Sequence, residues 1–357
     1  MERFGFVGLP NSGKTSLHNA LAGGDAVAAP HAFSTKTANV GVARVADERL
    51  DALAEMSRSR RTVQATVQFT DIGGLVSGAN RGEGLGNAFL GHIRDTDAIV
   101  YVLRSFADDD IAGDDDPLNS LQVLETELAL ADLESASRQL DKLTRAAKGD
   151  PAQRAGCDLL AEAVAVLSDG VPLYRAGFDA GVREGLRPFF MITNKPVLAV
   201  VNIGEDQIAS AAEVAEPVRA ELGDAQVVAL CVQLEAEAAQ LDESERPEML
   251  AALGLGSGAL EQFLGAAYQL LGLRTFLTTG EKESRAWTFR VGASAAECGG
   301  VVHSDIQRGF IRADTVAWDQ LLEAGSWSEA RRRGLVRSEG KHYTVADGDV
   351  MEFRFNV

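Results

Sequence analysis

The hydrophobic positions of this chain change their period twice. Strand-like runs at residues 4–7, 63–70 and 98–103 alternate with helical stretches such as 15–21, the pattern of a parallel sheet covered by helices. Between about residues 118 and 185 the period turns helical. Leu133, Ala136, Leu140, Leu143 and Ala147 fall at heptad spacing, and a second helical run covers about residues 154–167. Two such helices can pair as a hairpin or lie as a helical layer on the sheet. Strand character returns at residues 197–201, so the helical part interrupts an α/β domain. From about Arg274 the texture becomes short strands with glycine-containing turns, including 286–291 and, after Asp347-Gly348-Asp349, 351–357. This predicts a small separate β-rich domain.

A length of 357 residues accommodates two or three domains, and 46% hydrophobic residues exclude general disorder. The longest apolar stretches are far too short to span a bilayer, and the first residues enter a strand with no basic, apolar leader. Cys157, Cys231 and Cys298 lack the spacing of a zinc site or a disulfide framework, so a reduced cytoplasm is expected, with no membrane partner. A net charge of −18 argues against loose binding of free DNA or RNA. The charge is uneven, however. Residues 272–357 hold 12 Lys and Arg against 12 Asp and Glu, and Arg331, Arg332 and Arg333 cluster in this neutral part.

Residues 8–15 read Gly8-Leu9-Pro10-Asn11-Ser12-Gly13-Lys14-Thr15, which is G-x-x-x-x-G-K-[ST] between a strand and a helix. In that context the glycines let successive backbone N–H groups face phosphate oxygens, and the new helix adds its positive end. Lys14 neutralises phosphate charge and Thr15 can hold Mg²⁺. Asp71-Ile72-Gly73-Gly74 follows the strand at 63–70 and gives D-x-x-G, in which Asp71 can hold a Mg²⁺-bound water and the Gly74 N–H can meet a γ-phosphate. Thr35, in a Gly/Ala-rich loop, is the expected switch threonine.

Guanine-specific switches use N-K-x-D after a strand, where the acid accepts from the guanine edge. Asn194-Lys195-Pro196-Val197 has the first two residues but precedes its strand and lacks the acid, so it is read as a decoy. Asn202-Ile203-Gly204-Glu205 follows the strand at 197–201, without the lysine and with a longer acid, a change that permits adenine.

Together these segments resemble the Obg-like ATPase (YchF) family. The resemblance rests on residues 8–15 and 71–74, the specific run Gly78-Ala79-Asn80-Arg81-Gly82-Glu83-Gly84-Leu85-Gly86-Asn87, the stretch 127–133, Asn202-x-x-Glu205, Arg285-Ala286-Trp287 and the ending Phe355-Asn356-Val357. It spans essentially the whole chain. It implies an α/β P-loop NTPase domain of OBG type (1–128 and 189–271) interrupted by a helical hairpin (129–188). A C-terminal TGS domain of ubiquitin-like β-grasp form (272–357) follows. It also implies ATP preferred over or comparable to GTP, and association with the ribosome, through the large subunit.

Carried over by position, Asn11, Ser12, Gly13, Lys14, Thr15 and Ser16 would contact phosphates, Thr15 and Thr35 the Mg²⁺, and Asn202 with the Ile203 backbone the adenine. Glu205 stands where the guanine-reading acid would be. Lys14, Asp71 and Gly74 are the expected catalytic set. Leu75 occupies the slot where many switch GTPases carry a water-orienting glutamine, and residues 106–116 lack the loop histidine of some members, so slow turnover is expected. Asn11 is similar to the asparagine of potassium-activated switch NTPases, which adds K⁺ as an alternative to plain loop hydrogen bonding.

Two function classes follow: a slow ATPase whose nucleotide state controls ribosome binding, and a nucleotide-binding module with little hydrolysis. A GTP-preferring switch is the remaining variant. The aromatic residues Trp287, Phe289, Phe310, Trp318, Trp327, Phe353 and Phe355 are assigned to the core of the last domain, and Arg331, Arg332 and Arg333 to ribosomal RNA phosphate. His92 is given no role.

Overall fold

A computed structural model describes residues 2–22, 39–71, 85–107, 115–146, 151–223, 225–241, 245–253, 255 and 258–356. In chain order the first elements are β1 (Arg3–Val7), α1 (Lys14–Ala22), β2 (Asn39–Val45), α2 (Glu48–Ser57), β3 (Thr62–Val63), β4 (Ala65–Asp71), α3 (Leu85–Arg94) and β5 (Ala98–Arg104). Next come α4 (Pro117–Ala146), α5 (Pro151–Ser168), α6 (Ala180–Leu186), β6 (Val197–Asn202), α7 (Ala211–Leu222), β7 (Gln226–Leu230), α8 (Val232–Ala238), α9 (Arg246–Ala252) and α10 (Ala259–Leu270). The last are β8 (Leu273–Thr278), β9 (Ser284–Arg290), α11 (Ala295–Val302), α12 (Ser304–Arg308), β10 (Phe310–Ala317), α13 (Trp318–Ala324), α14 (Trp327–Arg332), β11 (Arg337–Glu339) and β12 (Asp349–Phe355). They fold into two compact units, Met1–Ala43 with Gln68–Phe263, and Arg44–Val67 with Leu264–Val357.

The first unit is built on a sheet in the order β2-β4-β1-β5-β6-β7, with β4, β1, β5, β6 and β7 parallel. Every residue of β5 and β6 is buried, the unbroken apolar run that a parallel strand needs when both faces are covered. On one face Ile99, Tyr101 and Leu103 pack with Leu121, Leu124 and Leu128 of α4 and Val218 and Leu222 of α7. Elsewhere in the unit Phe4 and Phe6 stack on Phe69 at 5.2 and 5.4 Å, and Phe69 meets Phe263 at 5.4 Å. Each such pair adds about 0.5–1.5 kcal/mol beyond its buried area.

Both sequence readings of the helical part hold, because α4 has two uses along its 30 residues. Its first half is a layer on the sheet. Further along, Ala129 and Ala136, with Leu133 and Leu140, join Leu160, Ala163 and Leu167 of α5 in a separate apolar cluster. The hairpin is therefore an extension of a sheet-bound helix, and residues 128 and 129 lie inside one continuous α4. Ala147 lies outside the described residues.

The second unit holds a sheet in the order β11-β10-β12-β8-β9-β3. β10 runs antiparallel to β11 and β12, β8 antiparallel to β9, and β12 and β8 are parallel. The edge strand β3 is the unexpected member. The strand expected at 63–70 is two strands in two sheets: Thr62 and Val63 pair with Ser284 and Arg285, whereas β4 pairs with β1. Val63-Gln64-Ala65-Thr66-Val67 contains no glycine or proline, so nothing in its pattern marks the change of partner.

Helix α2 belongs with this second sheet as well. It buries Leu50, Leu53 and Ala54, the Thr279 hydroxyl lies 3.2 Å from Leu53 O and 2.7 Å from Ser57 Oγ, and Arg49 pairs with Asp347 at 2.9 Å. Residues 44–67, which lie within the stretch 1–128 of the sequence, thus fold with the C-terminal strands. Phe276 and Phe289 form the buried centre there, and Trp287, Phe310 and Phe353 pack around them, whereas Phe355 is exposed. The three cysteines are free, no described group of residues could hold a metal through His, Cys, Asp or Glu alone, and no described helix is long and apolar enough to cross a membrane.

Candidate functional site

Parallel strands in register end on one edge of the sheet, and that edge gathers the site residues. Pairing of Phe6 with Asp71, Val7 with Tyr101, Arg104 with Asn202, and Asn202 with Leu230 aligns the ends of β1, β4, β5, β6 and β7. β1 also lies where the strand order reverses, between β4 and β5. A cavity of about 770 Å³ opens there, and Asn11, Gly13, Lys14, Thr15, Ser16, Asn202, Ile203 and Glu205 all line it. Those eight residues were all legible in the sequence. Thr35, Gly74 and Leu75 lie outside the described residues.

Residues 8–15 wrap as a phosphate loop does. Asn11 (φ 62°) and Gly13 (φ 96°) both take the left-handed conformation, which short polar residues and glycine tolerate best. A Cβ on Gly13 would lie 2.3 Å from Asn202 Nδ2, and one on Gly8 2.5 Å from Val102 O. The Lys14 ammonium donates to Gly8 O (3.0 Å) and Leu9 O (2.7 Å) and lies 3.5 Å from Ser12 Oγ. Its side chain spans the mouth of the loop.

Thr15 Oγ1 donates to Asp71 Oδ2 at 2.7 Å. Asp71 Oδ1 is buried with no hydrogen-bond partner among the described residues. A hydroxyl and a carboxylate with an unmet oxygen are the hard donors that Mg²⁺ takes, directly or through its waters, so the residues present fit that ion.

Asn202 is 4% exposed and does more than line the wall. Its Nδ2 donates to Ser12 O at 3.1 Å and its Oδ1 accepts from Val232 N at 3.2 Å, so it braces the phosphate loop against the start of α8. An amide has two N–H donors and two lone pairs, which leaves one of each for a base edge. The decoy reading of residues 194–197 agrees with the geometry. Lys195 donates to Ile93 O, Arg94 O and Thr96 O, closing the end of α3, and Asn194 donates to Arg183 O.

The opposite walls were missed. Phe106, Ala107, Cys231, Val232, Gln233, Ala236 and Glu237 also line the cavity. Arg104, itself buried, donates to Phe106 O at 2.9 Å and stacks 4.7 Å from the Phe106 ring, fixing that wall. The available signal was position: Phe106 and Cys231 each follow closely on a strand of the parallel sheet.

Burial lowers the Lys14 ammonium from an ordinary 10.5 to about 8, against the opposing attraction of Asp71. The folded chain thus holds this proton less tightly than the unfolded chain, so the charged lysine costs stability below about pH 8. That cost fades as pH rises from about 8 to 10.5. A bound polyphosphate reverses the preference. Nucleotide affinity is therefore expected to fall by up to about tenfold per pH unit above pH 8, as protons must be taken up on binding. Calorimetric titration across pH 7.5–9.5 checks this, and an affinity flat over that window would contradict it.

Arg331, Arg332 and Arg333 are all paired. Arg331 meets Glu352 at 2.6 Å, while Arg332 and Arg333 both hold Glu329, at 2.6 and 2.7 Å. The two arginines keep the Glu329 carboxyl at about 2. The cluster is ion-paired but keeps a cationic surplus, since with Arg312 and Arg354 it sets five arginines against Asp314, Glu329 and Glu352.

Comparison with known proteins agrees with this geometry. Residues 3–134 match a family model described as 50S ribosome-binding GTPase, and residues 273–356 match YchF-GTPase_C, described as a protein of unknown function (DUF933). The protein named ribosome-binding ATPase YchF from Bacillus subtilis is 41% identical over 363 residues, covering 99% of both chains. Its namesake from Haemophilus influenzae is 42% identical over 359 residues, again with 99% of both covered. The solved structure of the Schizosaccharomyces pombe YchF GTPase superposes with a TM-score of 0.85 at 27% identity, covering 99% of this chain and 97% of that one. With full-length identity at this level and a phosphate loop whose sheet-edge partners are Asp71 and Asn202, the chain belongs to the YchF family of Obg-like P-loop NTPases.

Proposed function

We propose that this chain is a cytoplasmic, ribosome-associated nucleotide switch that binds ATP with Mg²⁺ and hydrolyses its phosphoanhydride slowly. The observation that carries the reading is the convergence of Lys14, the Thr15–Asp71 pair and the Asn202 brace on one cavity. In this reading the backbone of residues 11–16 cradles the phosphates and Lys14 leaves the loop carbonyls to neutralise them. Thr15 and Thr35 would hold the Mg²⁺, Asp71 would hold one of its waters, and the Gly74 N–H would meet the γ-phosphate. Bound Mg²⁺ supplies charge neutralisation at the scissile oxygens. The names of the bacterial relatives support the ribosome and ATP, and the 50S description supports the large subunit.

Base preference is set at the turn after β6, and the fission yeast protein is named a GTPase. The spare donor and acceptor of Asn202, with the Ile203 backbone, suit adenine N6–H₂ and N7. Glu205 opens a 3₁₀ turn that is braced elsewhere, with Gln207 accepting from Gly204 N (2.9 Å) and donating to Ser105 O (3.0 Å). The expected result is ATP bound at least as tightly as GTP in competition titration with a fluorescent ATP analogue, in K⁺ and in Na⁺ buffer. A tenfold or greater preference for GTP would overturn the ATP reading. Phosphate release with and without ribosomes then separates a switch from a binding module.

A further inference from the structure

Helix α8 forms one wall of the cavity with Val232, Gln233, Ala236 and Glu237, and it also carries a buried carboxylate that does not line the cavity. Glu235 is 3% exposed. Its Oε1 accepts from Ala259 N at 2.6 Å, so an acid of α8 caps the first turn of α10. Burial raises the Glu235 carboxyl above its ordinary range, opposed by the N–H groups of Ala259 and Leu260. The residue before α10 is Gly258, held in the left-handed conformation (φ 96°), where a Cβ would lie 3.4 and 3.6 Å from the two carboxylate oxygens. Glycine has no side chain to offer the free N–H groups of a helix start, so α10 takes its cap from another helix.

A serine or aspartate placed locally satisfies such donors without burying a charge, so capping alone does not account for this glutamate. What it adds is a tie between α8 and α10, and both ends of the tie lead to the site. On α10, the fully buried Phe263 lies 5.4 Å from Phe69 of β4 and 6.5 Å from Phe6 of β1, the strands that run into Asp71 and the phosphate loop. On α8, Val232 N donates to Asn202 Oδ1 at 3.2 Å, and Asn202 Nδ2 donates in turn to Ser12 O at 3.1 Å. Arg246 closes the other end of α8 by donating to Ala238 O (3.1 Å) and Ala239 O (3.2 Å).

We infer that Glu235 is a positioning residue for base recognition: by fastening α8 to α10 it places Val232 N, and through that N–H it orients the Asn202 amide. A helix of seven residues does not hold itself, so its pose is set by what grips it. The amide has one donor and one acceptor left for a purine edge, and hydrogen bonds weaken steeply once their angle is lost. A displacement of about 1 Å in a supporting contact is enough to spoil such a reader. The phosphate contacts come from residues 11–16 and depend less on α8, so the loss should fall on the base.

This role rests on Asn202 as the base reader, and one set of titrations tests both. ATP and UTP share the triphosphate and ribose and differ in the base, so the ratio of their affinities for the full chain with Mg²⁺ isolates base recognition. The expected result is a wild type that prefers ATP and an E235A variant whose ATP-over-UTP ratio falls about tenfold, with UTP affinity changed less than about threefold. E235Q keeps an acceptor for Ala259 N but brings an N–H group toward Leu260 N, so it should lose an intermediate share, and it decides the matter if the alanine variant does not fold. A phosphate loop that is merely destabilised would lose both nucleotides together and keep the ratio. N202A/E235A should discriminate no worse than N202A, because Glu235 acts through Asn202. A ratio unchanged in E235A and E235Q, or a loss that adds to that of N202A, would overturn the proposal while leaving Asn202 as the base reader. A wild type that binds ATP and UTP equally overturns the base reading, and the role of Glu235 with it.

Discussion

Lys14→Ala is expected to lower ATP affinity at least a hundredfold, about 2.7 kcal/mol, while shifting the unfolding midpoint by no more than a degree or two. The binding loss follows from removing the cation placed at the mouth of the phosphate loop. The small effect on stability follows from the lysine's own position. Its ammonium gains two carbonyl acceptors, Gly8 O and Leu9 O, but burial of the charge works against them, as the lowering to about 8 records. Those contributions oppose each other, so deleting the side chain changes little in the folded protein. Calorimetry and thermal unfolding on the same preparation check both halves. An unchanged ATP affinity would remove the assignment of residues 8–15 as the phosphate site.

The elements that the sequence made legible are those whose period is unambiguous. β1, β5 and β6 are short apolar runs with strand ends where expected, the second half of α4 declares itself by heptad spacing, and α5 by its helical run. What stayed hidden was partnership. Nothing local distinguishes Thr62 and Val63 from the strand that follows at Ala65, because the choice of sheet is made by residues 284 and 285, more than 200 positions away. The same holds for α2, whose apolar face is legible as a face but not as one that meets the C-terminal sheet. Pairing is tertiary information.

The site divides along the same line. Lys14, Thr15 and Asp71 are recognisable because the chemistry requires those residue types at fixed places. Asn202 was recognisable as a base reader, yet its two hydrogen bonds to Ser12 O and Val232 N give it a second role that no motif announces. The walls at Phe106 and Cys231 carry no required residue type. Only the strand ends that present them identify them.

Asp132→Ala is the substitution outside the cavity expected to do most damage. Asp132 is 0% exposed and lies on α4 in the stretch 127–133 that the sequence singled out without a role. Its carboxylate accepts from Ile192 N (3.0 Å), Thr193 N (2.7 Å) and Thr193 Oγ1 (2.8 Å), with Arg94 at 3.8 Å. Alanine strands two buried backbone donors and leaves the partly exposed Arg94 without its carboxylate, which costs about 3–5 kcal/mol, or roughly 8–15 °C in the midpoint. Burial raises the Asp132 carboxyl above its usual range, opposed by those hydrogen bonds. A raised acid favours the folded state as pH falls, so the deficit of the alanine variant should be no smaller at pH 5 than at pH 7.5. Thr193→Val, which removes only the hydroxyl, should cost about 1 kcal/mol. The turn at 192–194 feeds directly into β6, whose last residue is Asn202, so ATP affinity should also weaken several-fold in the alanine variant. A stability loss below about 1 kcal/mol by chemical denaturation would show that Asp132 is not what holds this turn against α4.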